Sequence, residues 1–183
     1  WHRRHRQRWR RRGEPERLTT AGPGWHAERM GRWKVAGGLI TRGAETLLVA
    51  NRRRDGRVDW STPGGVVDEG ETPLFALSRE VHEETGLKVD DWSRLCWTTE
   101  VDFVDLEMHL LAEVHLAESF AGALLIDDPD GIVVEAHFLD AAKIDTRLTT
   151  APDWLTGPWD EIRHFGYRAM GRSPAEMSAE RVS

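Results

Sequence analysis

Apolar and polar positions set out two periods along this chain. From Trp33 the pattern is strand-like: Lys34 to Thr41 and Glu45 to Asn51 are β-rich runs, and Arg42-Gly43-Ala44 between them suits a hairpin turn. Asp55-Gly56 is a second turn signal, and Trp60-Ser61-Thr62-Pro63-Gly64-Gly65 reads as the end of a strand followed by a tight turn. The period then changes to that of a helix. Leu74, Leu77 and Val81 recur at i, i+3 and i+7, one apolar stripe facing a core. Thr72 suits the N-cap, Pro73 the first helical position and Gly86 the residue just past the end. Beyond it, Leu87-Lys88-Val89 reads as a short strand. Leu95 to Val101 and Leu106 to Leu116 read as a longer pair around Asp102-Phe103-Val104-Asp105, and residues 117–131 as an acidic loop. Ile132 to Leu139 is another strand, and Asp140 to Ile144 starts a short helix. Leu155, Trp159, Ile162 and Gly166 at helical spacing predict a C-terminal helix within 152–171, with Gly157-Pro158 placing its true start at or after Thr156. The sum is a mixed α/β (α+β) domain: mainly strands, one long central helix and one C-terminal helix.

Composition adds bounds to that pattern. The 183 residues suit one domain with a sizeable core, and 39% hydrophobic with 31% charged residues read as soluble and globular. No run of 18 apolar residues exists, so no membrane span is expected. Cys96 is the single cysteine and has no internal partner, which fits a reducing cytosol and a cytoplasmic protein; its strand-like surroundings argue for a structural thiol over a nucleophile. The net charge of −6 is uneven. Residues 1–29 hold nine arginines against three glutamates, which leaves 16 basic against 28 acidic residues from position 30 onward. An acidic body argues against general nucleic-acid binding. The basic extension, 1–29, shows no apolar period, so the expectation is a disordered or non-native segment, with Met30 as the native start, rather than a nucleic-acid arm. The domain is then expected over 30–172, with 173–183 a frayed tail.

The chemistry lies on the predicted helix. At roughly 100° per residue, Glu80, Glu83 and Glu84 fall within about 100° of one another beside the apolar stripe. Three carboxylates this close repel, and a solvated acidic face is the ordinary reading of such a helix. A hard divalent cation would instead make them a site, because Mg²⁺ takes oxygen ligands and keeps positions for water and substrate phosphates. Arg79 stands beside them and Glu71 just before the helix, an ion pair expected to steady the loop and orient the acidic face.

Spacing completes the pattern. Gly65, five residues, Glu71, seven residues, Arg79-Glu80, two residues, Glu83-Glu84, one residue, Gly86 and an aliphatic residue resemble the signature of the Nudix hydrolases, filled at every fixed position over residues 65–87. The resemblance implies a mixed β-sheet sandwiched between helices, with the signature as a loop-helix-loop. It also implies Mg²⁺- or Mn²⁺-dependent hydrolysis of a nucleoside diphosphate linked to another moiety, a small-molecule nucleotide substrate. On it, Glu80, Glu83 and Glu84 are expected to hold metal, and the carbonyls near Gly64 and Gly65 to add a ligand. The general base is one of the three or a distal carboxylate. Glu135, in Glu135-Ala136-His137-Phe138, resembles the distal acidic residue of many relatives, with Asp127, Glu107 and Glu100 as competitors.

Outside the signature the readings are coarser. Arg52-Arg53-Arg54-Asp55-Gly56-Arg57 is a solvated loop on general grounds, with Arg53 or Arg54 the candidate grip on substrate phosphates. Trp60 is expected in the core rather than as a stacking platform. His82, His109 and His115 share no ligand spacing, so zinc is not expected. The proline associated with ADP-ribose hydrolases has no counterpart near Phe103, nor is the tyrosine of dinucleoside-polyphosphate hydrolases seen, so a nucleoside triphosphate, ADP-ribose or a nucleotide sugar stays open. The alternative is a non-catalytic nucleotide-binding or regulatory module on the same fold. A homodimer is left open.

Overall fold

The computed structural model describes the backbone of residues 5–11, residues 31–103 and 106–149, and Ala151, Thr156 and Trp159. In chain order the elements are β1 (His5–Arg11), β2 (Gly31–Leu39), β3 (Thr41–Arg42), β4 (Glu45–Arg52), β5 (Val58–Ser61) and β6 (Gly64–Val66). Helix α1 (Pro73–Thr85) follows, then β7 (Lys88–Phe103), β8 (Met108–Ala121), β9 (Val133–Leu139) and α2 (Ala141–Leu148). The mixed α+β class read from the sequence is the one that forms, with two sheets where one was expected. Five strands run in the order β1-β7-β8-β2-β6, parallel only between β2 and β8, and β4 pairs with β3, β5 and β9 in a second, antiparallel sheet.

Strand β4 shows why two layers form. Leu47 and Val49 point into one core, which they share with Ala36, Leu77 and Val81 under helix α1. Leu48 and Ala50 point into a second, shared with Leu39, Trp60, Trp97, Val114 and Trp159. A strand buried on both faces must be apolar at consecutive positions, and Leu47 to Ala50 are all fully buried. At about 1.5–3 kcal/mol for each large side chain removed from water, these two cores fix the strands on which the candidate site is built.

Both turn readings hold. The Arg42-Gly43-Ala44 hairpin closes with Gly43 at φ 64°, and in the β4–β5 connection Gly56 is at φ 83° and its N–H donates to the carbonyl of Arg53 at 2.9 Å. The first β-run is interrupted at Ile40, whose carbonyl accepts from Leu47 at 2.9 Å. Past α1 the expectation of a short strand and a separate longer pair is corrected. Strand β7 is continuous for 16 residues, and β8 extends to Ala121, so the acidic loop begins at Gly122 rather than at 117. Repeated register shifts between Val89 and Trp97 carry β7 through its polar positions. The basic extension, 1–29, was expected to be disordered or non-native; within it His5–Arg11 runs antiparallel to β7 as a sheet edge, and its other positions lie outside the described residues. Of the expected C-terminal helix, Trp159 is 6% exposed in the second core; Leu155, Ile162 and Gly166 lie outside the described residues, as does the 173–183 tail. Among the described residues no helix is long and apolar enough to cross a membrane.

Candidate active site

Helix α1 is built as its local signals require. Thr72 Oγ1 accepts from the N–H of Phe75 at 3.3 Å, Pro73 opens the helix, and Gly86, at φ 73°, closes it by donating to the carbonyl of His82 at 2.8 Å. Leu77 and Val81 face the core as expected, but Leu74 is 39% exposed and Ala76 takes the buried place beside them. The stripe continues into Glu84 and Thr85, so one of the three acids is carried into the protein with the apolar face.

Glu84 is 8% exposed, and its Oε2 accepts from the N–H of Gly64 at 2.8 Å. Burial pushes its carboxyl up to about 8, against the pull of that hydrogen bond, and the nearby charges of Glu80, Asp128 and Glu83 act in the same upward direction. Burial also raises Glu80, with Arg79 opposing. Gly64 reaches this position at φ 139°, and a Cβ there would run into the Ala36 carbonyl of β2. Gly65 is required for a second reason: a Cβ would come within 2.5 Å of Cδ of Glu80. The paired glycines let the start of β6 lie directly against the acidic face.

Arg79 joins the pieces. Its Nε and Nη2 donate to Glu71 at 3.1 and 3.0 Å, and its Nη1 to Glu80 at 2.9 Å and Glu83 at 3.2 Å. Asp68 lies 3.7 Å from Nη2. The expected Glu71–Arg79 pair therefore forms, and the same guanidinium also binds two of the three acids. Glu71 is held below its ordinary value by Arg79, and the Arg79 guanidinium is raised chiefly by Glu71. Among the described residues no three His, Cys, Asp or Glu side chains are already closed into a coordination shell, because Glu80 and Glu83 turn onto Arg79. The donor set is nonetheless all oxygen, with one carboxylate buried at the cost of its charge. That chemistry fits Mg²⁺ or Mn²⁺ and not a soft metal.

The remaining candidates are sorted by position. Glu135 is 53% exposed on β9 and pairs with His137 at 3.3 Å. Asp128 and Asp130 act on the acidic face, through their charges on Glu84 and Glu80 respectively. Asp128 is occupied, accepting from the N–H groups of Asp130, Ile132 and Val133, while Asp130 is exposed. Sequence reasoning saw this acidic loop but singled out Asp127; the signal it lacked is tertiary, the N–H of Leu125 donating to the carbonyl of Thr85 at 2.9 Å, which lays the loop on the end of α1. Arg53 lines a cavity that Gly64 also borders, and its Nε is 2.8 Å from Asp59; Arg54 is exposed and does not line it. Trp60 is in the core, 6% exposed, and is also a wall of that cavity. Burial pushes the Cys96 thiol up to about 12, which suits a structural role. Asp102 is 2.7 Å from His109, and His115 is lowered by burial; neither reaches the acidic face through a contact.

A family model described as NUDIX domain matches residues 31–156. An RNA pyrophosphohydrolase of Tolumonas auensis is 56% identical over 52 residues, 25% of this chain and 30% of that protein. A putative 8-oxo-dGTP diphosphatase 2 of Mycobacterium tuberculosis is 49% identical over 59 residues, 31% of this chain and 41% of that protein. The chain thus spans less than half the length of these curated relatives. Among solved structures, a MutT NUDIX hydrolase from Burkholderia pseudomallei is 27% identical with a TM-score of 0.55, covering 61% of this chain and 85% of that one. With the family model matching well over half of its residues, and the acidic helix at the centre of the match, the chain belongs to the Nudix family.

Proposed function

We propose that the chain hydrolyses a pyrophosphate bond in a nucleoside diphosphate linked to another moiety, in a reaction that depends on Mg²⁺ or Mn²⁺. The observation that carries this is the partly buried trio Glu80, Glu83 and Glu84, held on one side of a helix by Arg79 and by the Gly64 N–H. Carboxylates in such crowding serve no packing purpose, since burial and mutual repulsion both oppose their charge. The names of the two relatives, a pyrophosphohydrolase and a putative diphosphatase, support the reading.

Glu80, Glu83 and Glu84 would hold the metal, with the Gly65 carbonyl as a candidate further oxygen. A divalent ion bound there supplies neutralisation of phosphate charge and a lowered pKa for water. Gly64 fixes Oε2 of Glu84, and Glu71 keeps Arg79 in place whether or not its bonds to Glu80 and Glu83 persist. Arg53, which lines the same cavity as Gly64, is the candidate for the substrate's phosphates, in preference to Arg54. Asp130, whose charge acts on Glu80, is our candidate for the distal acid in preference to the exposed Glu135.

The test is a substrate panel with and without Mg²⁺: ADP-ribose, nucleotide sugars, dinucleoside polyphosphates, and canonical and oxidised nucleoside triphosphates. Metal-dependent release of phosphate, pyrophosphate or a nucleoside monophosphate from one class is the expected result. No cleavage of any class, or cleavage unaffected by a chelator, would overturn the proposal.

A further inference from the structure

The acidic site makes no use of the edge strand β1 (His5–Arg11). Among the described residues β1 pairs with β7 alone, in an unbroken antiparallel register from His5 opposite Phe103 to Arg11 opposite Trp97. It is tethered to the sheet rather than turned into it: β2, the next strand in the chain, lies beyond β7 and β8, and residues 12–30 make the connection. The segment His5-Arg6-Gln7-Arg8-Trp9-Arg10-Arg11 holds four arginines and no aliphatic residue. A continuous apolar face is therefore not what seats it. Main-chain hydrogen bonds and charge remain, which is how an extended segment adds itself to an open sheet edge.

Strand β7 is shaped to receive such a segment. Its register shifts against β8 all lie between Val89 and Trp97, and from Trp97 to Phe103 the pairing is regular, so the regular part of the strand is the part that β1 covers. Along it Trp97, Thr99 and Val101 are buried, while the alternate positions Thr98, Glu100 and Asp102 are half-buried and carry two carboxylates. The register sets Arg10, Arg8 and Arg6 opposite these three. Opposite charges facing each other across an antiparallel pair stabilise it, and a slip of one residue would set the arginines against the buried row instead. Asp102 also has His109 at 2.7 Å, whereas Glu100 has no ion-pair partner among the described side chains. Left bare, this edge would present unpaired backbone groups, a template for any extended chain.

We infer that the Trp97–Phe103 edge of β7 is a strand-docking site for an extended segment with arginine at alternate positions, and that residues 5–11 are its resident and displaceable occupant. The inference goes beyond the hydrolase reading and stands or falls without it. The tether keeps the resident strand at a high local concentration, so the same sequence supplied in trans enters only where the resident is disabled.

Proline at both Gln7 and Arg8 disables it in the full chain. Amides of successive residues point to opposite sides of a strand, so one of the two prolines must remove a rung of the β1–β7 ladder. A fluorescent peptide with the sequence of residues 4–12 is then titrated against each protein by anisotropy, which requires no turnover. Saturable binding to the Gln7→Pro/Arg8→Pro chain, at least about 10-fold tighter than to the unmodified chain, is expected. Adding Glu100→Arg to that chain should weaken the peptide about 3-fold or more, and an Arg8→Glu peptide should regain part of the loss. A control peptide carrying the same two prolines should not bind. Should the proline chain not fold, Arg8→Glu in the full chain is the second variant, with the same comparison of peptides. Equal binding to the unmodified and altered chains, binding of the proline control as tight as that of the unaltered peptide, or indifference to Glu100→Arg overturns the inference. So does a dimer of the unmodified chain that the two prolines dissociate, because residues 5–11 would then be filling the edge of a second copy.

Discussion

The backbone N–H of Gly64 donates to Oε2 of Glu84 across 2.8 Å, tying the start of strand β6 to the last turn of helix α1. Through that bond a residue on the rim of an aromatic cavity holds a residue of the acidic face. Glutamine at position 84 keeps an acceptor for Gly64 and loses only the charge. Glu84→Gln and Glu83→Gln are therefore expected to leave circular dichroism unchanged and to lower metal-dependent turnover by about 100-fold or more, at or beyond the roughly 10–100-fold effect of disturbing outer-shell partners. Full activity in both variants would remove them from the metal site.

The buried charge also has a consequence for stability. Glu84 is pushed up to about 8, above the ordinary carboxylate value of 4.5, so the folded chain binds its proton more tightly than the unfolded chain does. The stability this contributes is fully present below about pH 4.5 and is lost as pH rises through about 8. Glu80, raised by burial, acts with the same sign. In the presence of a chelator the melting temperature should fall between pH 5 and 9, and fall less in Glu84→Gln. Equal slopes for the two proteins would contradict the burial argument.

Gly65 faces the Cδ atom of Glu80 at a distance no Cβ tolerates. Gly65→Ala must displace that carboxyl, at a strain on the order of 1–3 kcal/mol. A lower melting temperature together with a larger loss of turnover is the expected pair of results. An alanine variant with wild-type activity would mean that Glu80 moves freely.

Two distal acids can be set against each other. Asp130 acts on Glu80 from the loop lying on α1, whereas Glu135 pairs with His137 on an exposed strand face. Asp130→Asn is expected to lower turnover about 10-fold or more, as an outer-shell partner of the metal site would. Glu135→Gln should stay within about 2-fold, since its own ion pair is solvent-exposed. Steady-state kinetics with the two variants side by side decides it, and the reverse order would return the distal role to Glu135.

What was legible in the sequence is what local chemistry decides. Thr72, Pro73 and Gly86 bound α1 by capping its own ends, and Arg79 meets Glu83 because residues four apart share a helix face; Glu71 reaches the same guanidinium from the segment before the helix. Leu74 misled because an apolar period does not say how far the core extends under the first turn: it is 39% exposed, while Ala76 is fully buried. Strand β7 was read as broken at Asp90-Asp91 and Ser93-Arg94, where register shifts change the face each residue presents and defeat simple alternation. The cavity was invisible. It gathers Gly37, Gly64, Trp97 and Trp159, more than 100 positions from first to last, and no local period announces such a meeting. Asp130 was missed for the same reason.

Titration of the full chain with Mn²⁺, followed by the loss of the free-ion electron paramagnetic resonance signal, asks most directly whether the acids of α1 hold a cation. Saturable binding that is lost or weakened at least about 10-fold in Glu84→Gln, and preserved in Glu135→Gln, is the expected result. Binding that is the same in all three proteins, or absent even when a nucleotide is present, would contradict it.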